Sequence, residues 1–184
     1  MRGQFTALWR ASKYSVKDFS KEQLEIIRSG LREGLSVEQV NVYMQPEYDY
    51  SQMFSICWAF KEGLSSEQVA VFARPAYSGP AMQAIAIGFR DKFPRELTKI
   101  YMKPELDGDQ MLVIARALSR HADPRLVKRY ASPEFDPSQM EAIFEAIEQN
   151  IPGREISRFA KPEIDAPDMF EIIQELLGER RSRG

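Results

Sequence analysis

A block of 29 residues recurs through the chain and constrains its fold more than any other feature. KPELDGDQMLVIARAL begins at Lys103, SPEFDPSQMEAIFEAI at Ser132 and KPEIDAPDMFEIIQEL at Lys161. Several columns keep one phase. Proline stands at Pro46, Pro75, Pro104, Pro133 and Pro162, and methionine at Met53, Met82, Met111, Met140 and Met169. Isoleucine stands at Ile27, Ile56, Ile85, Ile114, Ile143 and Ile172, and an aromatic at Tyr14, Tyr43, Phe72, Tyr101, Tyr130 and Phe159. A degenerate unit comes first, with Lys17 in the proline column and Leu24 in the methionine column. A fixed period of this size is the signature of a repeat array, in which each unit buries its apolar side against its neighbours.

One unit reads as two helices. After Asp49, apolar residues fall at Met53, Ile56, Phe60 and Leu64, a helical stripe. Asp49 with Gln52 three residues on is a capping box. Its column holds Ser20, Asp49, Ser78, Asp107, Asp136 and Asp165, all short polar acceptors. The stop column holds Gly34, Gly63, Lys92, His121 and Asn150, of which Gly and Asn suit a left-handed helix end. Ser36 and Ser65 then cap a second helix, and Pro94, Pro124 and Pro152 mark its start in later units. The column proline ends it. The expectation is a helix of about 12 residues and one of about 8 or 9, with no strands. The fold class is therefore all-α: an α-solenoid of about six short helix-turn-helix repeats in a single domain, 1–184. Residues 5–16 form an N-terminal half-repeat in phase with the second helix, 17–177 the repeats and 178–184 a basic tail. Trp9 stands in a column otherwise polar, covering the end of the stack or serving a contact. The third unit departs from the pattern at Ala76, Ser78, Gly79 and Pro80, which bends the array or marks a contact.

Little chemistry is legible. The chain has one histidine and one cysteine, so it holds neither an internal disulfide nor a common zinc site built without carboxylates. His121 reads as a helix-end residue and Cys57 as a helix residue without redox work. No phosphate loop, HExxH or GxSxG occurs. The recurring Glu–Asp pairs, such as Glu47 with Asp49, belong to corners and caps, and the corner is too short for a calcium loop. No enzyme activity and no cofactor are expected. No apolar run is long enough to span a membrane, and the N-terminus lacks a signal-peptide core, so cytoplasmic localisation is expected.

Charge breaks the repeat. Residues 133–179 hold 12 Asp and Glu against 3 Lys and Arg, in a chain of net charge -2. Glu141, Glu145 and Glu148 share one helix face, and Glu171 and Glu175 follow one unit on. Arg125, Lys128 and Arg129 share a face of the preceding second helix, near Arg116 and Arg120. The acidic face is the candidate partner-binding site, suited to a basic groove on another protein. The alternative is DNA or RNA binding through Arg116, Arg120, Arg125, Lys128 and Arg129. A generic protein–protein adaptor is a third reading. Phe5, Leu8 and Trp9 at one end, or Phe170, Ile173 and Leu177 at the other, can also pair with a second copy, so a homodimer is compatible with the sequence.

The columns with proline at Pro46, aspartate at Asp49, methionine at Met53 and isoleucine at Ile56 resemble a tandem repeat of proteins from mobile elements and phages of anaerobic bacteria. The match runs over residues 18–177. Proteins in that setting include anti-CRISPR inhibitors, and a chain of this size with an acidic face is similar to them. The resemblance implies a bacterial host cytoplasm and, as partner, a Cas9-type nuclease or its guide-RNA complex, inhibited by occupation of its basic groove. It implies no catalytic residue.

Overall fold

Short polar side chains set where the longer helices begin. The computed structural model describes residues 2–182. Among them are twelve α-helices and no strand: α1 (Arg2–Ala11), α2 (Lys21–Arg32), α3 (Val37–Tyr43), α4 (Tyr50–Lys61), α5 (Ser66–Phe72), α6 (Gly79–Arg90), α7 (Arg95–Tyr101), α8 (Gly108–Ser119), α9 (Pro124–Tyr130), α10 (Pro137–Glu148), α11 (Gly153–Phe159) and α12 (Ala166–Ser182). From α2 to α12, each longer helix begins 29 residues after the last. Ser20, Asp49, Asp107 and Asp136 each accept the amide of the glutamine three residues on, which accepts the cap's own amide in return. Ser78 and Asp165 accept the corresponding amides of Ala81 and Asp168 at 3.4 and 3.0 Å.

The longer helices stop on a left-handed residue, at Gly34, Gly63, Lys92, His121 and Asn150, with φ of 99°, 84°, 53°, 64° and 56°. Four of these ends carry the same pair of bonds. Leu35 N donates to Gly30 O at 2.9 Å while Gly34 N donates to Leu31 O at 3.3 Å. The same pattern recurs at Leu64, Ala122 and Ile151, whose apolar side chains are buried. This is the Schellman arrangement with its hydrophobic contact. His121 and Asn150 occupy it without glycine's freedom, and Lys92 also takes the left-handed backbone.

The shorter helices have seven residues, not eight or nine, because the column proline does not end them. An inverse γ-turn does. Ala73, at φ -70° and ψ 73°, lets Arg74 N reach Phe72 O at 2.7 Å. Pro75 then takes the second position of a turn closed by Tyr77 N and Arg74 O at 3.0 Å. The other four corners repeat both bonds.

The N-terminal helix departs from the expected phase, and the C-terminal helix from the expected length. The half-repeat expected over 5–16 aligns Tyr14 with the second helix, but α1 spans Arg2–Ala11 and Tyr14 is not helical. Trp9 lies edge-on between Phe5 and Phe19, at 5.8 and 5.7 Å, so it covers the first unit's end. At the other terminus α12 runs for 17 residues and takes in the basic tail through Ser182. The rest of that tail, Arg183 and Gly184, lies outside the described residues. Arg180 Nη1 donates to Asn150 O at 2.9 Å, which anchors the extension.

The chain divides into two compact units, Met1–Arg90 and Asp91–Gly184. In the first, the core gathers Ile27, Tyr43, Met53, Ile56, Phe72 and Met82, all at most 6 % exposed. In the second, Ile114, Met140, Ile143, Phe159, Met169 and Ile173 are buried. Glutamine joins successive repeats within each unit. Gln52 Nε2 donates to Pro75 O and Tyr77 O, and Gln139 Nε2 to Pro162 O and Ile164 O, at 2.7 to 3.1 Å. Gln23 and Gln110 reach Tyr48 O and Phe135 O. The third longer helix of each unit carries Ala81 or Asp168 instead. The departure at Gly79 serves a close helix contact inside the first unit. A Cβ there would lie 2.6 Å from the Ser51 backbone, and the Ser55 hydroxyl lies 2.8 Å from Gly79 O.

Candidate interaction surface

The methionine column is buried and repeats, whereas two neighbouring columns of the longer helices vary and are exposed or half-buried except at Ile87 and Leu112. The column of Phe54 holds Glu25, Gln83, Leu112, Glu141 and Phe170, and the column of Trp58 holds Ser29, Ile87, Arg116, Glu145 and Gln174. Residues free of the packing requirement carry what distinguishes one repeat from the next.

In the second unit these columns form a groove of about 370 Å³. Arg116 of α8 and Arg120, the residue just after that helix, line it together with Glu141, Glu145 and Glu148 of α10, with Phe144 and Phe170. Arg120 Nη1 stands 3.6 Å from Glu148 Oε1. Burial pushes the Glu148 carboxyl above its ordinary value, and Arg120 opposes that shift. The structure thus brings together residues that the sequence reading assigned to two rival sites. Three of the expected acidic residues and two of the expected basic ones face each other.

The others lie apart from that groove. Glu171 is exposed on α12. Glu175 lines a second groove of about 400 Å³ with Glu155, Arg158 and Glu179, against Phe159 and Ile172. Arg125, Lys128 and Arg129 are exposed on α9, where the Arg129 guanidinium lies 5.5 Å from the centre of the Tyr130 ring. None of these three lines the groove of Arg116 and Arg120.

Two features escaped the sequence reading. Polar links join residues 28 apart at the C-terminal ends of the longer helices. Glu33 pairs with Lys61, Glu62 with Arg90 at 3.3 Å, Asp91 accepts from Ser119 at 2.6 Å, and Arg120 pairs with Glu148. The last pair reverses the order of charge. Searching for opposite charges at that offset would have found three of the four. The other feature is an aromatic row on α4. Tyr50 and Phe54 are 48 % and 42 % exposed and stack at 6.4 Å. Trp58, one turn on, lies under the Arg90 guanidinium at 5.5 Å. Aromatics at i, i+4 and i+8 were the available signal.

Cys57 is buried, and burial pushes its thiol above the ordinary value. Among the described residues no three His, Cys, Asp or Glu side chains gather as a metal site requires. No described helix is long and apolar enough to cross a membrane. No protein-family model, curated protein or solved structure matches the chain.

Proposed function

We propose that the protein is a non-enzymatic helical-repeat module that binds another protein. In this reading the helical pairs are stacked repeats of an α-solenoid with a 29-residue period. The buried Met, Ile and aromatic columns and the glutamine links from one repeat to the next corner support it. One observation carries the function. The methionine column repeats and is buried throughout, whereas the columns of Phe54 and Trp58 vary, are exposed or half-buried except at Ile87 and Leu112, and bear charge and aromatic rings.

The partner presents a basic surface. Glu141, Glu171 and Glu175 are exposed in a segment of 12 acidic against 3 basic residues. Such a face suits the positive channel of an RNA-guided nuclease, which holds guide and target. A Cas9-type defence nuclease, or its guide-RNA complex, in the cytoplasm of a bacterial host is therefore the most specific candidate. DNA or RNA binding is the weaker alternative, because Arg116 and Arg120 face carboxylates and leave Arg125, Lys128 and Arg129 on α9. Few phosphate contacts do not hold nucleic acid at physiological salt.

Titrating the chain into a purified Cas9-type nuclease with its guide tests the specific reading. Stoichiometric binding that blocks target DNA is expected. Absence of binding removes this partner, and anisotropy of a labelled oligonucleotide with the chain alone tests the alternative.

A further inference from the structure

We infer that the groove on the second unit takes the guanidinium of an arginine presented by the protein partner. This rests on the reading of the chain as a protein-binding module and names the chemistry of one contact. Three carboxylates on α10 share the groove with the guanidiniums of Arg116 on α8 and Arg120 at its C-terminal end, so the groove keeps a surplus of negative charge at neutral pH. Its two ends differ. At one end the Glu148 carboxylate, with 21 % side-chain exposure, pairs with Arg120. At the other, Glu141 is exposed and lines the groove with Phe170, its counterpart one repeat on. Phe144, 2 % exposed, lies behind them. An anionic ligand would meet the three carboxylates, so the charge selects a cation.

The combination of carboxylate and ring selects which cation. A guanidinium is planar, donates two parallel bonds to a carboxylate and stacks on an aromatic face. An ammonium is a compact, strongly hydrated charge without that plane. The chain makes this arrangement with its own residues in the first unit. There the Arg90 guanidinium lies over the Trp58 ring and pairs with Glu62 at 3.3 Å. In the second unit Glu141 and Glu145 with Phe170 supply carboxylate and ring, and the partner supplies the guanidinium. A volume of about 370 Å³ has room for an arginine side chain.

The test titrates the full chain with three blocked tripeptides, Gly-Arg-Gly, Gly-Lys-Gly and Gly-citrulline-Gly, read by amide-resolved NMR. The arginine peptide shifts the signals of Glu141, Glu145 and Phe170, and binds about tenfold more tightly than the lysine peptide. The citrulline peptide, which lacks charge, leaves them in place. Glu141→Gln with Glu145→Gln lowers the arginine peptide's affinity about tenfold. Glu141 is exposed, so Glu141→Gln alone serves as the variant that leaves the fold intact. Equal response to arginine and lysine overturns the inference. So do shifts confined to other residues, unchanged affinity in the variants, or a single-stranded oligonucleotide moving the same signals. If the peptides fail while the chain still captures a protein from nuclease-treated extract, this inference falls alone. If capture fails too, the binding-module reading falls with it.

Discussion

Gln139 shows how one side chain can hold two levels of structure. Its Oε1 accepts the Asp136 amide at 2.9 Å, and its Nε2 donates to Pro162 O and Ile164 O in the next corner. The sequence made the cap legible, because cap and glutamine sit three residues apart. It left the bridge unread, because the bridge depends on where the next corner lies in space. Gln139→Ala removes all three bonds, which are part-buried, and leaves the Pro162 and Ile164 carbonyls without that donor. Urea denaturation is expected to register a loss of about 2 to 3 kcal/mol. Gln139→Glu keeps the cap and lacks both donors, so it separates the two roles. The stop column gives a second residue-scale prediction. At His121, with φ 64°, a side chain strains the left-handed backbone. Glycine relieves that strain at the expense of a more flexible unfolded chain, so His121→Gly is expected to stabilise by about 0.5 kcal/mol. At Gly63 nothing lies within 4 Å of an added Cβ, so Gly63→Ala meets only backbone strain and loses about 1 kcal/mol.

The elements were legible where one local signal decides them. Capping residues placed the longer helices, and the apolar columns placed the core. The errors came where a competing local geometry acts. The γ-turns at Ala73 and its counterparts shorten the second helices before the proline is reached. At the N-terminus α1 slips out of phase, with Phe5, Trp9 and Phe19 packed edge-on as a cover. At the C-terminus Gly178 does not stop α12, since Arg180 ties the extension to Asn150 O. Gly79 tests the account of α4 against α6. Alanine favours a helix by about 1 kcal/mol over glycine. Against the Ser51 backbone, 2.6 Å from the added Cβ, overpacking outweighs that gain. A net loss of about 1 to 2 kcal/mol in Gly79→Ala is expected by thermal and urea unfolding. A net gain would show that the two helices separate readily.

Across the molecule, the buried columns make stability depend on alkaline pH. Burial raises the phenols of Tyr43, Tyr48, Tyr101 and Tyr130, that of Tyr101 to about 12. Unfolded tyrosines ionise near about 10. Above that pH the unfolded chain binds fewer protons than the folded one, so stability present below it falls as pH rises toward the folded values. Tyrosinate absorbance and circular dichroism are therefore expected to change together for these four residues. Ionisation of more than three of the seven tyrosines while the helices are intact would contradict the burial. The candidate surface was only half legible. Sequence spacing grouped Glu141, Glu145 and Glu148 correctly, but it could not show α8 opposite α10, and so it assigned Arg116 and Arg120 to a rival site. The central claim is that repeating columns hold the fold while exposed variable columns bind a protein. Its most direct measurement is affinity capture from nuclease-treated bacterial extract, comparing the unmodified chain with the combined Glu141→Lys, Glu171→Lys and Glu175→Lys variant. The account predicts a stoichiometric protein partner that the variant loses while its helicity and unfolding midpoint stay unchanged. Retention of that partner by the variant, or capture that vanishes when nucleic acid is digested, would contradict it.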